Sequence, residues 1–134
     1  MIVAYLTGSY PRVSHTFIAR EIAGLRALGI EVRPCSIRRT EAAHVAGAEQ
    51  VAAQAETFHI LEAVRARAGL RALGSALRRP GRLARALGLA WRTAPKGVRG
   101  RAYNLIYLVE AVVLADHLRR IGVAHLHDHI AMAS

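Results

Sequence analysis

The run Val123-Ala124-His125-Leu126-His127-Asp128-His129 places an imidazole at every second position. In an extended strand, residues two apart share a face, so the three histidines project the same way. An imidazole can ligate a metal, move a proton or donate a hydrogen bond near neutral pH. The spacing weighs against the first role. Same-face neighbours sit about 6.6 Å apart along a strand, and the outer pair about twice that. No cysteine or carboxylate triad stands beside them to complete a zinc set, so no metal is expected. His129, at the carboxyl end of the run, is expected to be a hydrogen-bonding or acid/base group, with His127 beside it. His125 reads as a strand-entry residue near the opposite edge.

A second group lies in the segment Thr7-Gly8-Ser9-Tyr10-Pro11-Arg12-Val13-Ser14-His15-Thr16-Phe17. It follows an apolar run and opens a helical pattern, the place where open α/β sheets receive ligands. Free amides at a helix start favour an anionic or oxygen-rich partner. Gly8, Ser9, Arg12, Ser14, His15 and Thr16 are the candidate ligand-facing residues. The segment is neither G-x-G-x-x-G nor a phosphate loop, since no Gly-Lys-Ser/Thr follows Gly8. Its plainer reading is a capped turn, with the Ser14 hydroxyl accepting from a first-turn amide. Glu41 and Glu49 have an E-x7-E spacing, but in an Ala-rich helix with scattered carboxylates that carries no weight.

The elements that must position these groups follow from periodicity. Residues 2–6 form a short apolar run, read as a buried strand stopped by the turn cluster at 7–11. Ile18, Ile22, Leu25 and Leu28 give one helical face, and Gly29 supplies a C-terminal cap. Residues 32–37 read as a second strand, and β-α-β of this length implies parallel strands. An Ala-rich helix over 41–54, weakened by Gly47, precedes a short strand at 56–60. Basic helices are predicted over 61–77 and 82–91, separated by Pro80-Gly81, with another break at Pro95-Lys96-Gly97. A long helix over 98–120 carries Tyr103, Ile106, Tyr107, Glu110, Val113, Leu114 and His117 at helical spacing; Gly122 ends it before the histidine strand. Glu21 falls on the stripe Ser14-Ile18-Glu21-Leu25, so it is expected to be partly buried. A buried carboxylate needs a partner, here Arg12 or a backbone amide, and Glu21 is read as bracing the loop.

Composition bounds the function. The chain has 134 residues, of which 53% are hydrophobic, which excludes wholesale disorder. The single cysteine, Cys35, excludes an intrachain disulfide and reads as a small apolar strand residue. Met1 leads into the first strand with no basic n-region, and no apolar run reaches the roughly 18 residues of a membrane span. A cytoplasmic protein is expected, at most peripheral on the inner face of the membrane. The net charge is +10, yet residues 63–101 hold eleven of the nineteen basic residues and no acidic one. Arg82, Arg85 and Arg92 share a helical face, while Leu83, Leu87, Ala90 and Trp91 line another. That pattern suits an interfacial helix on an anionic membrane through 61–101, or a solvated face on a packed helical insertion. No nucleic-acid partner is expected, because aromatic interleaving and any recognisable binding motif are missing.

Two stretches together resemble bacterial glycosyltransferase family 4 enzymes of the GT-B architecture, of the capsule, exopolysaccharide and colanic-acid type. One is Tyr10-Pro11-Arg12-Val13-Ser14-His15-Thr16-Phe17-Ile18-Ala19-Arg20-Glu21, similar to a Phe/Tyr-Pro-x-x-Ser-Glu-Thr-Phe-Ile-x-x-Glu pattern. The other is His127-Asp128-His129-Ile130-Ala131, similar to a His-x-His-Phe-Ala strand end. The turn Arg78-Arg79-Pro80-Gly81-Arg82 and the run Leu118-Arg119-Arg120-Ile121-Gly122-Val123 look similar too. The resemblance implies an α/β, Rossmann-like parallel sheet with flanking helices and a basic helical insertion. It also implies that residues 1–134 are the N-terminal, acceptor-side part of a retaining glycosyltransferase, whose C-terminal donor-binding domain lies outside this chain. The implied reaction moves a sugar from a nucleotide-sugar to a glycan or lipid-linked acceptor in cell-surface polysaccharide synthesis. His129 matches the family's active-site histidine, and Gly8, Ser14 and Thr16 match the loop lining the crevice. No cofactor is expected in this chain, and the polypeptide alone is expected to be inactive. His15 stands where the family has Glu, and Ile130 where it has Phe. The alternative expectation is a non-catalytic basic α/β module that docks on anionic membranes.

Overall fold

The structure, a computed structural model, describes residues 1–129. Ile130 and Ala131, the end of the second motif, lie outside the described residues. The chain divides into a sheet unit, residues 1–62 together with the residues from Arg120 onward, and a helical unit, Ala63–Arg119.

In the sheet unit, strand β1 (Ile2–Ser9), helix α1 (Thr16–Ala27) and strand β2 (Glu31–Arg38) form the predicted β-α-β. A Gln50- and Glu49-bearing helix, α2 (Ala48–Glu56), and the short strand β3 (Phe58–His59) follow. The chain returns after the helical unit as β4 (His125–Asp128). All pairings are parallel, and the order across the sheet is β3-β2-β1-β4. This is an α/β fold with a four-stranded parallel sheet, consistent with a Rossmann-like architecture. The order also defines a switch point. From β1 the chain steps outward to β2 and β3, then returns to the other side of β1 as β4. Open sheets bind ligands at the carboxyl ends of the strands flanking such a reversal.

The core forms where α1 covers the sheet. Ile18 and Ile22 pack with Val3, Tyr5, Tyr10 and Val32, all buried, with Leu25 and Ile30 partly buried against them. Leu28, expected on the same face, is exposed instead: the helix has ended, and Gly29 takes a left-handed φ of 79° that turns the chain towards β2. β1 runs three residues past its predicted end. Thr7 pairs with Ser36 and Ser9 with Arg38, so cross-strand pairing overrides the turn propensity of Thr7-Gly8-Ser9. The buried Ser36 hydroxyl donates to the Arg38 carbonyl at 2.6 Å and accepts from the Tyr10 amide at 3.1 Å, tying the loop to β2.

Helix α1 starts at Thr16, one residue later than a Ser14 cap requires, so His15 takes the cap position. Val13–His15 winds as a single 3-10 turn, closed by the His15 amide on the Arg12 carbonyl at 2.9 Å, and Ser14 makes no capping bond. The helix expected over 41–54 is split. Gly47 adopts φ 88°, which leaves a 3-10 turn at Ala42–His44 before α2 begins.

Helices α3 (Ile60–Arg65) and α4 (Arg67–Leu77) divide the first predicted basic helix at Ala66. Helix α5 (Pro80–Thr93) starts on Pro80, which is accommodated at the first helical position where no amide is needed. Helix α6 (Val98–Arg120) has the predicted bounds, with Val113, Leu114 and Asp116 buried. Asp116 is held by Arg71 at 3.5 Å and Arg119 at 3.8 Å. Among the described residues, no helix is long and apolar enough to cross a membrane. The helical unit carries twelve basic and two acidic residues, the whole of the net charge of +10, and the sheet unit is balanced.

Candidate active site

The parallel ladder between β1 and β4 sets the site. Tyr5 pairs with His127 and Leu6 with Asp128, and the His129 amide donates to the Leu6 carbonyl at 2.8 Å just beyond the strand. Alternation then brings the side chains of Tyr5, His127 and His129 onto one face. The Tyr5 ring lies 4.8 Å from that of His127 and 5.6 Å from that of His129, and the two imidazoles meet edge to face at 4.7 Å. His125 begins the strand opposite Val3, at the far end, exposed and apart from this cluster.

Glu21 comes from α1, at the edge of the face that buries Ile18 and Ile22. Its carboxylate accepts the Tyr5 hydroxyl on Oε1 at 2.7 Å and meets His129 Nε2 on Oε2 at 2.8 Å. Glu21 therefore braces His129, the residue that follows β4, and Tyr5 of β1 rather than the loop, and its partners are neither Arg12 nor a backbone amide. It is also more exposed than expected, with 40% of the side chain open to solvent. The hydrogen bond from Tyr5, then that from His129, holds the carboxyl below its usual pKa. Burial, reinforced by the hydrogen bond to Glu21 and its charge, pushes the Tyr5 phenol up to about 12, so it stays a donor.

This arrangement selects a tautomer. A carboxylate only accepts, so a neutral His129 donates from Nε2 and keeps the lone pair on Nδ1; a protonated ring donates from both nitrogens. The Tyr5-Glu21-His129 chain thus fixes the ring, the arrangement that serves a histidine hydrogen-bonding to, or exchanging a proton with, a bound molecule.

The loop approaches this cluster through an aromatic residue that the sequence reading did not select. Phe17, half exposed, contacts the His129 ring edge-on at 5.8 Å and the His15 ring at 6.0 Å. His15 is partly buried, and its Nδ1 has no hydrogen-bond partner among the described residues. Gly8 and Ser9 lie in β1 rather than in the loop. The side chains of Arg12, Ser14 and Thr16 make no hydrogen bond or ion pair with the histidine pair among the described residues; Ser14 and Thr16 are exposed. Tyr5 was missed as well. Its one signal was a hydroxyl inside an otherwise aliphatic strand, because a buried phenol requires a partner. Compared with protein-family models, curated proteins and solved structures, the chain matches none.

Proposed function

We propose that this chain supplies the acceptor-side half of a retaining glycosyltransferase acting in cell-surface polysaccharide synthesis. In this reading, His129 hydrogen-bonds to the sugar or acceptor at the crevice, and Glu21 with Tyr5 holds it there. His127 and the loop at Gly8, Ser9, Arg12, Ser14, His15 and Thr16 line the acceptor side. The nucleotide-sugar is bound by a second Rossmann-like domain, which also stabilises the departing diphosphate electrostatically. The observation that carries the reading is the position of His129. It stands at the switch point of a β3-β2-β1-β4 sheet, on the carboxyl end of β4, braced by a carboxylate from the first helix. Both resemblance motifs meet there, Phe17 and Glu21 from one and His127 and His129 from the other.

The test has two parts. The open reading frame containing this chain is expected to encode a second nucleotide-sugar-binding domain. In that protein, His129→Ala should lower sugar transfer about 100-fold, the scale for loss of one preorganised donor. A reading frame without such a domain, or turnover unchanged in His129→Ala, rejects the proposal.

A second reading is favoured by one observation, the confinement of the net charge of +10 to the helical unit. Its α5 exposes Leu87, Leu89 and Trp91, with the Arg101 guanidinium over the Trp91 ring at 4.5 Å. Basic charge beside exposed Leu and Trp suits the headgroup region of an anionic bilayer. Co-sedimentation with phosphatidylserine vesicles that weakens with salt supports docking. Equal sedimentation with neutral vesicles counts against it.

A further inference from the structure

We infer that Glu21, His127 and His129 form a binding site for one divalent transition-metal ion of the zinc class. The one ligand atom offered by each residue lies within 4.8 Å of the other two. The strand spacing that disfavours a three-histidine site does not apply to this set. His125 is not in it, and its place is taken by a carboxylate that α1 brings across the sheet. Two imidazoles and one carboxylate are a donor set that zinc and its neighbours accept, with further positions left to water.

The geometry needs little change. In a tetrahedral site with bonds of about 2.0–2.1 Å, ligand atoms stand about 3.3 Å apart. The 2.8 Å contact between His129 and Glu21 therefore opens by about half an ångström, and the remaining separations close from at most 4.8 Å. The ion takes the place of the hydrogen between His129 Nε2 and Glu21 Oε2: a neutral His129 moves its one N–H to Nδ1 and releases no proton, and a protonated ring releases one. The supporting contacts are already present. Tyr5 donates to the Glu21 oxygen that does not face His129, and its ring backs both imidazoles. Such outer hydrogen bonds orient metal ligands and raise affinity. The β4 backbone is anchored beneath them by the His129 amide.

The inference does not depend on the glycosyltransferase reading, because binding is measured without sugar. Zinc chloride is titrated into the full chain by calorimetry near neutral pH, with circular dichroism confirming the fold of each variant. One equivalent is expected to bind. Glu21→Gln, a surface change, and His127→Ala should each weaken it at least about 10-fold, and Tyr5→Phe by about 10-fold. His125→Ala and His44→Ala should leave it unchanged. No saturable binding, or binding that survives Glu21→Gln and His127→Ala or is lost in His125→Ala, overturns the site. Loss of transferase activity in His129→Ala without zinc binding would separate the two ideas in favour of the sugar-binding role alone.

Discussion

Glu21 and His129 are 108 positions apart in sequence and 2.8 Å apart in space. The contact joins α1 to the residue that follows β4, and it carries a consequence for acid stability. The Glu21 pKa is depressed in the fold, first by the Tyr5 hydroxyl and then by His129. A depressed carboxyl stabilises the fold fully above its unfolded pKa, and that contribution disappears as pH falls through the lower, folded value. Urea unfolding with a chelator present should therefore show a smaller loss of stability from neutral to acidic pH in Glu21→Gln than in the parent chain. Equal losses would show that the contact contributes no linkage.

Cys35 is fully buried in β2, and burial pushes its thiol up to about 12. The folded chain should resist alkylation at pH 8, while the urea-unfolded chain reacts at the rate of a free thiol. The same shift predicts a stability change with pH. The unfolded thiol ionises above about 8.5, so stability falls as pH rises from there towards the folded value, and Cys35→Ala should lack that component.

The helical pattern puts Ile18 and Leu28 on one apolar face, but they differ in space: Ile18 is fully buried, and Leu28 is 78% exposed. Ile18→Ala should cost about 2–5 kcal/mol by emptying the α1–sheet core. Leu28→Ala should stay within about 0.5 kcal/mol. Denaturant midpoints of the two variants check the contrast.

Glycines of the helical unit should divide the same way. A Cβ on Gly69 would stand 2.2 Å from the Val64 carbonyl oxygen, so α3 and α4 meet here at a distance only glycine permits. Gly69→Ala is expected to lower the melting temperature. A Cβ on Gly74 or Gly88 meets nothing within 4 Å, and alanine there should stabilise by about 0.5–1 kcal/mol through helix propensity. Thermal melts followed at the helical band distinguish them.

The β-α-β start was legible because hydrophobic spacing in 2–37 matches both periods and Gly29 marks the helix end. The long α6 was legible for the same reason. The end of β1 was not. Thr7-Gly8-Ser9 has turn chemistry, and only pairing with Ser36 and Arg38 keeps it extended. Ser14 looked like a cap because a hydroxyl preceded an apolar pattern, yet the 3-10 turn at Val13–His15 consumes that position. Glu21 was visible as a carboxylate on the buried stripe. Its partners were not, since Tyr5 hid in an apolar run sixteen residues away and His129 arrives only through the β1–β4 register.

That register also sets the order in which the site can come into being. Val3, Tyr5, Glu21 and the core around Ile18 belong to the first 38 residues, and their contacts close over short stretches of chain. His127 and His129 join them only after β4 pairs with β1, a closure between Val3 and His125 that costs more chain entropy than the local β-α-β contacts. β4 is four residues long, mostly exposed, and among the described residues pairs on one side alone. Its amides should accordingly exchange with solvent before those of β1 and β2. The site is then a readout of one short ladder: whatever peels β4 from β1 dismantles the Glu21–His129 contact while leaving the founding β-α-β intact.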